Sequence, residues 1–117
     1  MANFLNSILD KVKGKQTSIE SNGHQVLRGD MQTYLVQQFR MDPMEVANLR
    51  YVARQESVGT SSFYVRVFNP DQVRAQNITV RKYRDLDSYP ELVLFYGRLN
   101  KGKVGYLKKH FVPSARH

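Results

Sequence analysis

Ser62-Phe63-Tyr64-Val65-Arg66-Val67-Phe68 alternates Phe63, Val65 and Val67 against Tyr64, Arg66 and Phe68, a period of two that marks a β-strand with one buried face. Asn69-Pro70-Asp71 closes the run with turn-forming residues. Upstream of Thr60 the apolar spacing is helical, so the stretch marks a change of period. The chain is therefore expected to be α+β: an N-terminal amphipathic helix, a helical hairpin, then an antiparallel sheet of about four strands.

Toward the C-terminus, Ile78-Thr-Val-Arg-Lys-Tyr83 reads as a second strand with a more polar face, and residues 85–90 as a loop. Glu91-Leu-Val-Leu-Phe-Tyr-Gly-Arg-Leu99 carries apolar side chains in both parities, as a central strand or one covered on both faces does. Asn100-Lys-Gly-Lys103 is a hairpin turn into Val104-Gly-Tyr-Leu-Lys-Lys-His-Phe111. Pairing Leu99 with Val104 places Gly97 opposite Tyr106, whose ring could cover the bare glycine backbone. The tail from Val112 is short and polar.

Toward the N-terminus, Asp42 as N-cap, Pro43 at the first helical position and Glu45 three residues after the cap form an Asp version of the capping box. Met41 and Val46 stand where a hydrophobic staple would join. The helix is expected over residues 43–55, with Val46, Leu49, Val52 and Ala53 inward, and Asp42→Ala is expected to cost about 1 kcal/mol. A preceding helix starts at Asp30 and buries Met31, Tyr34, Leu35 and Phe39. Phe4, Leu5, Ile8, Leu9 and Val12 form a short amphipathic helix. A polar stretch then follows to Asn22-Gly23, so residues 1–23 read as helix and linker and residues 24–117 as one domain.

The 117 residues carry 18 basic and 10 acidic side chains, a formal charge of +8, a field that concentrates anionic partners. With no cysteine, disulfides, thiolate metal sites and cysteine nucleophiles are excluded, and a reducing, cytoplasmic setting is the expectation. The first ten residues lack a basic leader segment and interrupt their apolar run, unlike a signal peptide. No stretch is apolar enough to span a membrane, so no integral membrane association is expected.

The two adjacent helices resemble a helix-turn-helix over about twenty residues: Val36, Met41, Val46 and Leu49 fall near its apolar positions, with Asp42 capping the second helix. Arg40 stands where such motifs often place glycine. The resemblance implies a helix offering Asn48, Arg50, Arg54 and Gln55 to a DNA major groove. A helical hairpin capping a sheet accounts for the same spacing without DNA and is preferred. Lys103-Val-Gly-Tyr-Leu-Lys-Lys-His-Phe111 has a faint likeness to the basic-Gly-aromatic strand of RNA-recognition motifs. It lacks their second glycine and aromatic pair, and that family is not carried over.

A second basic set lies after residue 60: Arg66, Arg74, Arg81, Lys82, Arg84, Arg98, Lys101, Lys103, Lys108 and Lys109, interleaved with Tyr64, Tyr83, Tyr96 and Tyr106. Cations neutralise phosphates and exposed rings stack unpaired bases, so this is what a single-strand or RNA platform needs. The candidate nucleic-acid-binding residues are thus Arg50, Arg54, Arg66, Arg81, Lys82, Tyr83, Arg98, Lys101, Lys103, Tyr106, Lys108 and Lys109. Catalysis finds little footing. His24, His110 and His117 are far apart, and the acidic group Asp85, Asp87 and Glu91 reads as turn chemistry rather than a Mg²⁺ site. No phosphate-cradling glycine loop, nucleophile elbow or zinc spacing is present, and no cofactor is expected. The sequence thus points to a small, non-catalytic module for DNA or RNA. The alternative is an assembly domain that docks a protein partner through a sheet edge or apolar patch.

Overall fold

In the computed structural model, which describes residues 23–100 and 103–110, the alternating stretch is the central strand of an antiparallel five-stranded sheet. The elements run β1 (Gln25–Val26), α1 (Gly29–Phe39), α2 (Pro43–Ala47), β2 (Arg50–Gln55), β3 (Ser62–Phe68), α3 (Pro70–Ala75), β4 (Val93–Asn100) and β5 (Lys103–Lys109). Two 3-10 turns, Tyr83–Leu86 and Pro90–Leu92, lie between α3 and β4. Strand order follows chain order, β1-β2-β3-β4-β5, so every strand pairs with its neighbour in sequence. The expected N-terminal helix lies outside the described residues.

The sheet sits between two layers. On one face α1, α2 and the turn after α2 lay Met31, Leu35, Val46 and Leu49 onto Tyr51, Ala53, Val65, Val67, Phe95, Leu99 and Leu107, all buried. The period-two pattern of β3 supplies Val65 and Val67 to this core. On the other face, a smaller core of Val52, Phe68, Val73, Val80, Leu86, Leu92 and Val93 gathers under residues 70–92. That cover reaches only one end of the sheet.

The helix expected over residues 43–55 is corrected: α2 ends at Ala47, and Arg50–Gln55 is strand β2, paired with β1 and β3. Val52 and Ala53 are both buried because β2 is covered on both faces at that point. Apolar residues of both parities imitate a helical stripe. Residues 50–55 therefore form no recognition helix, and the helix-turn-helix resemblance does not extend to the structure of this segment. Arg40 does occupy a left-handed conformation, φ 58°, closing α1 with the backbone that glycine adopts at least cost.

The strand expected at residues 78–83 is also corrected. Asp85 Oδ2 accepts from the backbone N–H groups of Arg81 and Lys82, each at 2.9 Å. These donors, which a sheet ladder would have used, are spent locally, and Tyr83 starts a 3-10 turn. Asp30 lies in the first turn of α1 rather than at its cap. Its Oδ2 accepts from Val104 N–H at 3.0 Å, pinning the helix to β5.

Leu99 pairs with Val104 as expected, but a register shift beside it sets Gly97 opposite Leu107 and Arg98 opposite Tyr106. The strands approach so closely there that a Cβ on Gly97 would stand 1.9 Å from the Tyr106 carbonyl oxygen. It is β5 backbone, not the Tyr106 ring, that covers this glycine.

Two stability predictions follow from local geometry. Asp42 stands at the N-cap of α2 without a side-chain cap bond, whereas Asn69 Oδ1 accepts from Asp71 N–H at 2.8 Å at the start of α3. Asn69→Ala should cost about 1 kcal/mol and Asp42→Ala under about 0.5 kcal/mol in urea unfolding. Equal losses would refute the cap assignment. Gly97→Ala should cost at least about 2 kcal/mol, because a backbone atom, not a flexible side chain, blocks the new methyl. A wild-type melting curve for that variant would contradict the close approach.

Candidate functional site

Where residues 70–92 stop covering the second face, the antiparallel register lays side chains out in rungs. Arg54 lies opposite Tyr64, Tyr64 opposite Arg98, and Arg98 opposite Tyr106. In the adjoining rung Val52 lies opposite Arg66, Arg66 opposite Tyr96, and Tyr96 opposite Lys108. Side chains two apart on a strand share a face, so Arg54, Tyr64, Arg66, Tyr96, Arg98, Tyr106 and Lys108 form one surface. On it each tyrosine has basic neighbours across the strands.

Tyr64 and Tyr96 are diagonal neighbours across β3 and β4, and Tyr96 and Tyr106 across β4 and β5. Diagonal positions stand about 7–8 Å apart. The cations rest on rings: the Arg66 guanidinium lies 4.0 Å and that of Arg54 5.0 Å from the Tyr83 centroid, and the Lys108 ammonium 5.6 Å from that of Tyr106. Such pairs hold long side chains over the sheet at modest energetic gain, about 0.5–1 kcal/mol each when exposed. Two carboxylates join the set. Arg66 donates to Asp87 Oδ1 at 2.7 Å and to Tyr83 carbonyl at 2.8 Å, and Arg98 pairs with Glu56 at 3.3 Å. Arg98 Nε is shielded from solvent and has no acceptor among the described residues.

Tyr83 is placed by its turn. The Asp85 carboxylate that ties the turn to Arg81 and Lys82 is held below the usual carboxylate range, first by the Arg81 N–H bond. Desolvation opposes this, while the Lys82 N–H bond and the charges of Arg84 and Lys82 support it. Asp85 thereby fixes a ring on which two arginines rest.

A cavity of about 440 Å³ opens where the rungs meet the 3-10 turns, lined by Arg66, Tyr83, Leu86, Asp87, Pro90, Val93, Tyr96, Lys109 and His110. The His110 ring stands edge-on to Tyr96 at 5.5 Å. Among the described residues no three histidine or carboxylate side chains converge as a metal site. The acidic cluster noted in the sequence is spent otherwise, Asp85 on backbone amides and Asp87 on Arg66.

Of the candidate residues, the structure brings together Arg54, Arg66, Arg98, Tyr106 and Lys108 on the open face, with Tyr83 beside them and Lys109 at the cavity. Lys103 stands at the start of β5 opposite Asn100, one rung further on. Arg81 and Lys82 lie in the loop that Asp85 ties down. Arg50 leaves the set: its guanidinium folds back on the carbonyls of Ala47 and Leu49, at 3.4 and 2.9 Å, at the end of α2. Lys101 lies outside the described residues. Tyr64 and Tyr96 belong to the surface although the candidate set omits them. Their signal was present in the parity that Tyr64 shares with Arg66 and Tyr96 with Arg98. Glu56 carried no pattern that would single it out, while Asp87 and His110 stood out only as members of the acidic group and the scattered histidines, neither of which points to this surface.

No known protein family, curated protein or solved structure matches the chain. No helix among the described residues is long and apolar enough to cross a membrane.

The lowered Asp85 carboxyl carries a pH prediction. Because folding depresses its pKa, its contribution is present above the unfolded carboxylate value near 3.8 and is lost as pH falls through the folded value. Asp85→Asn should lower stability at pH 7 and flatten the decline in urea midpoint below about pH 4. An unchanged acid limb in that variant would show that the carboxylate does not hold the turn.

Proposed function

We propose that the chain is a non-catalytic binding module that holds single-stranded nucleic acid on the open sheet face. The observation that carries this reading is the pair of rungs in which arginine or lysine alternates with tyrosine, one across β2 to β5 and the other across β3 to β5. Lysine and arginine neutralise phosphates, and exposed rings stack bases of any sequence. Tyrosines about 7–8 Å apart exceed the roughly 3.4 Å step of stacked bases, so they suit a strand whose bases are splayed, not a duplex. The strand conformation of residues 50–55, which puts Arg54 on the sheet, argues in the same direction. For a protein partner the support is thinner, since the large exposed apolar side chains Val26, Met44 and Val58 lie on β1, α2 and the β2–β3 turn instead of one patch.

The test is fluorescence anisotropy with labelled oligonucleotides. Single strands should bind more tightly than duplex, with affinity falling as salt rises by a log–log slope of about −3, as four cation–phosphate contacts give. Tyr64→Ala and Tyr106→Ala should each weaken binding by about 5- to 100-fold, the worth of one base stacked on a ring. Arg54→Gln and Lys108→Gln should lower the salt slope, and Arg50→Gln should leave binding unchanged. No binding at low salt, or a duplex preference, would overturn the proposal and leave the charge as a solubility feature.

A further inference from the structure

Arg66 and Arg98 stand in adjoining rungs of the open face, each beside a carboxylate, but the two ion pairs differ in kind. Arg66 is locked: it donates to Asp87 Oδ1 at 2.7 Å and to the Tyr83 carbonyl at 2.8 Å, and its guanidinium lies 4.0 Å from the Tyr83 centroid. Only 22% of its side chain is exposed, against 38% for Arg98. Arg98 is held loosely. Its Nη1 alone meets Glu56, at 3.4 and 3.3 Å from the two carboxylate oxygens, long for a charge-assisted bond, which runs about 2.7–2.9 Å. Its Nε has no acceptor among the described residues. The pair spans β3, because Glu56 follows β2 and Arg98 stands on β4. The Glu56 backbone is anchored by its own N–H on the Ser62 carbonyl at 2.8 Å, so its carboxylate can leave Arg98 by side-chain rotation alone.

We infer that Arg98 is a phosphate seat of the open face and that Glu56 fills it in the free protein, giving way to a phosphodiester of a bound single strand. The inference rests on the reading of that face as a nucleic-acid surface and adds the residue that competes with the ligand. In register Arg98 lies between Tyr64 on β3 and Tyr106 on β5, with its guanidinium 5.9 Å from the Tyr106 centroid. A phosphate on Arg98 therefore sits between the two rings, where the link between two splayed bases belongs. Glu56 engages one arm of a planar fork that phosphate can meet with two oxygens. Breaking a partly exposed ion pair costs the ligand little, and until the ligand arrives the carboxylate spares Arg98 the repulsion of its cationic neighbours. Arg66 takes no part in the exchange, because its contacts hold Tyr83 and its turn in place.

The experiment is fluorescence anisotropy of the intact protein with a labelled oligothymidine at about 0.15 M salt, where distant charges are screened. Glu56→Gln should tighten binding about two- to fivefold, the worth of one exposed ion pair no longer broken. Glu45→Gln, the same change of charge on α2 across the sheet, should bring no comparable gain. Arg98→Gln should weaken binding, and on that background Glu56→Gln should change nothing. Urea midpoints report folding, and Glu56→Asp, whose carboxylate falls one methylene short of Arg98, is the second variant and should show part of the gain. Unchanged or weaker binding by both Glu56 variants, an equal gain in Glu45→Gln, or a gain that survives without Arg98 would overturn the inference. A parallel titration with inorganic phosphate, read by NMR at the Arg98 Nε–H, separates the seat from the strand. The shift should be larger in Glu56→Gln than in the wild type. That result with no oligonucleotide binding by any variant would uphold the anion seat and remove the strand reading. Oligonucleotide binding that depends on Tyr64 and Tyr106, with no gain in the Glu56 variants, would remove the seat and leave the strand reading standing. Neither oligonucleotide binding nor a phosphate shift would overturn both.

Discussion

The pairing of β3 with β4, with Val65 opposite Gly97 and Arg66 opposite Tyr96, decides what each face of the sheet carries. A slip of one residue would turn Val65 and Val67 out of the helix-covered core and send Arg66 into it, which neither side would tolerate. Gly97 tightens the constraint from the next interface, since only a residue without a side chain lets β5 approach as it does. The shift beside Arg98 then lets Leu99 keep Val104 while Arg98 meets Tyr106. Without that shift the outermost tyrosine would leave the rung.

The second face is open because residues 70–92 bury only a small core at one end. Like charges gathered on the remainder repel one another, at a cost that surface screening moderates. The structure offsets the cost by setting tyrosine between cations, resting Arg54 and Arg66 on Tyr83, and neutralising Arg66 and Arg98 with one carboxylate each. Exposed ion pairs and ring contacts of this kind contribute little to stability. Their effect is on position: the cations are held above the sheet plane by rings and carboxylates.

What the sequence made legible was whatever is buried on one side only. The alternation in residues 62–68 and the hairpin after Leu99 correspond to strands, and α1 and the start of α2 lie where apolar spacing and Pro43 put them. Residues 93–99 are a strand too, but one whose second face is open at Tyr96 instead of covered, with Glu91 and Leu92 in the 3-10 turn before it. The failures have a common physical origin in backbone partners that lie outside the local pattern. Residues 50–55 spread apolar side chains over both parities because both faces of β2 are covered, and period alone cannot tell that from a helix. In residues 78–83, Val80 is buried in the smaller core and looks like a strand residue, but a carboxylate five positions on from it takes the amides a ladder would need. Two-residue β1 is too short to leave any period at all.

These errors bear unequally on the candidate site. A helix over residues 43–55 and the basic strands would be rival surfaces, because a helix and a sheet cannot present the same side chains to one ligand. Once β2 is a strand the rivalry dissolves: Arg54 leaves the imagined helix and stands opposite Tyr64 in the first rung. Arg50, four residues earlier on the same parity, is withdrawn to the end of α2. The site therefore gains one arginine and loses another through the same correction. What remains is a continuous row from β2 to β5, whose composition follows from register alone.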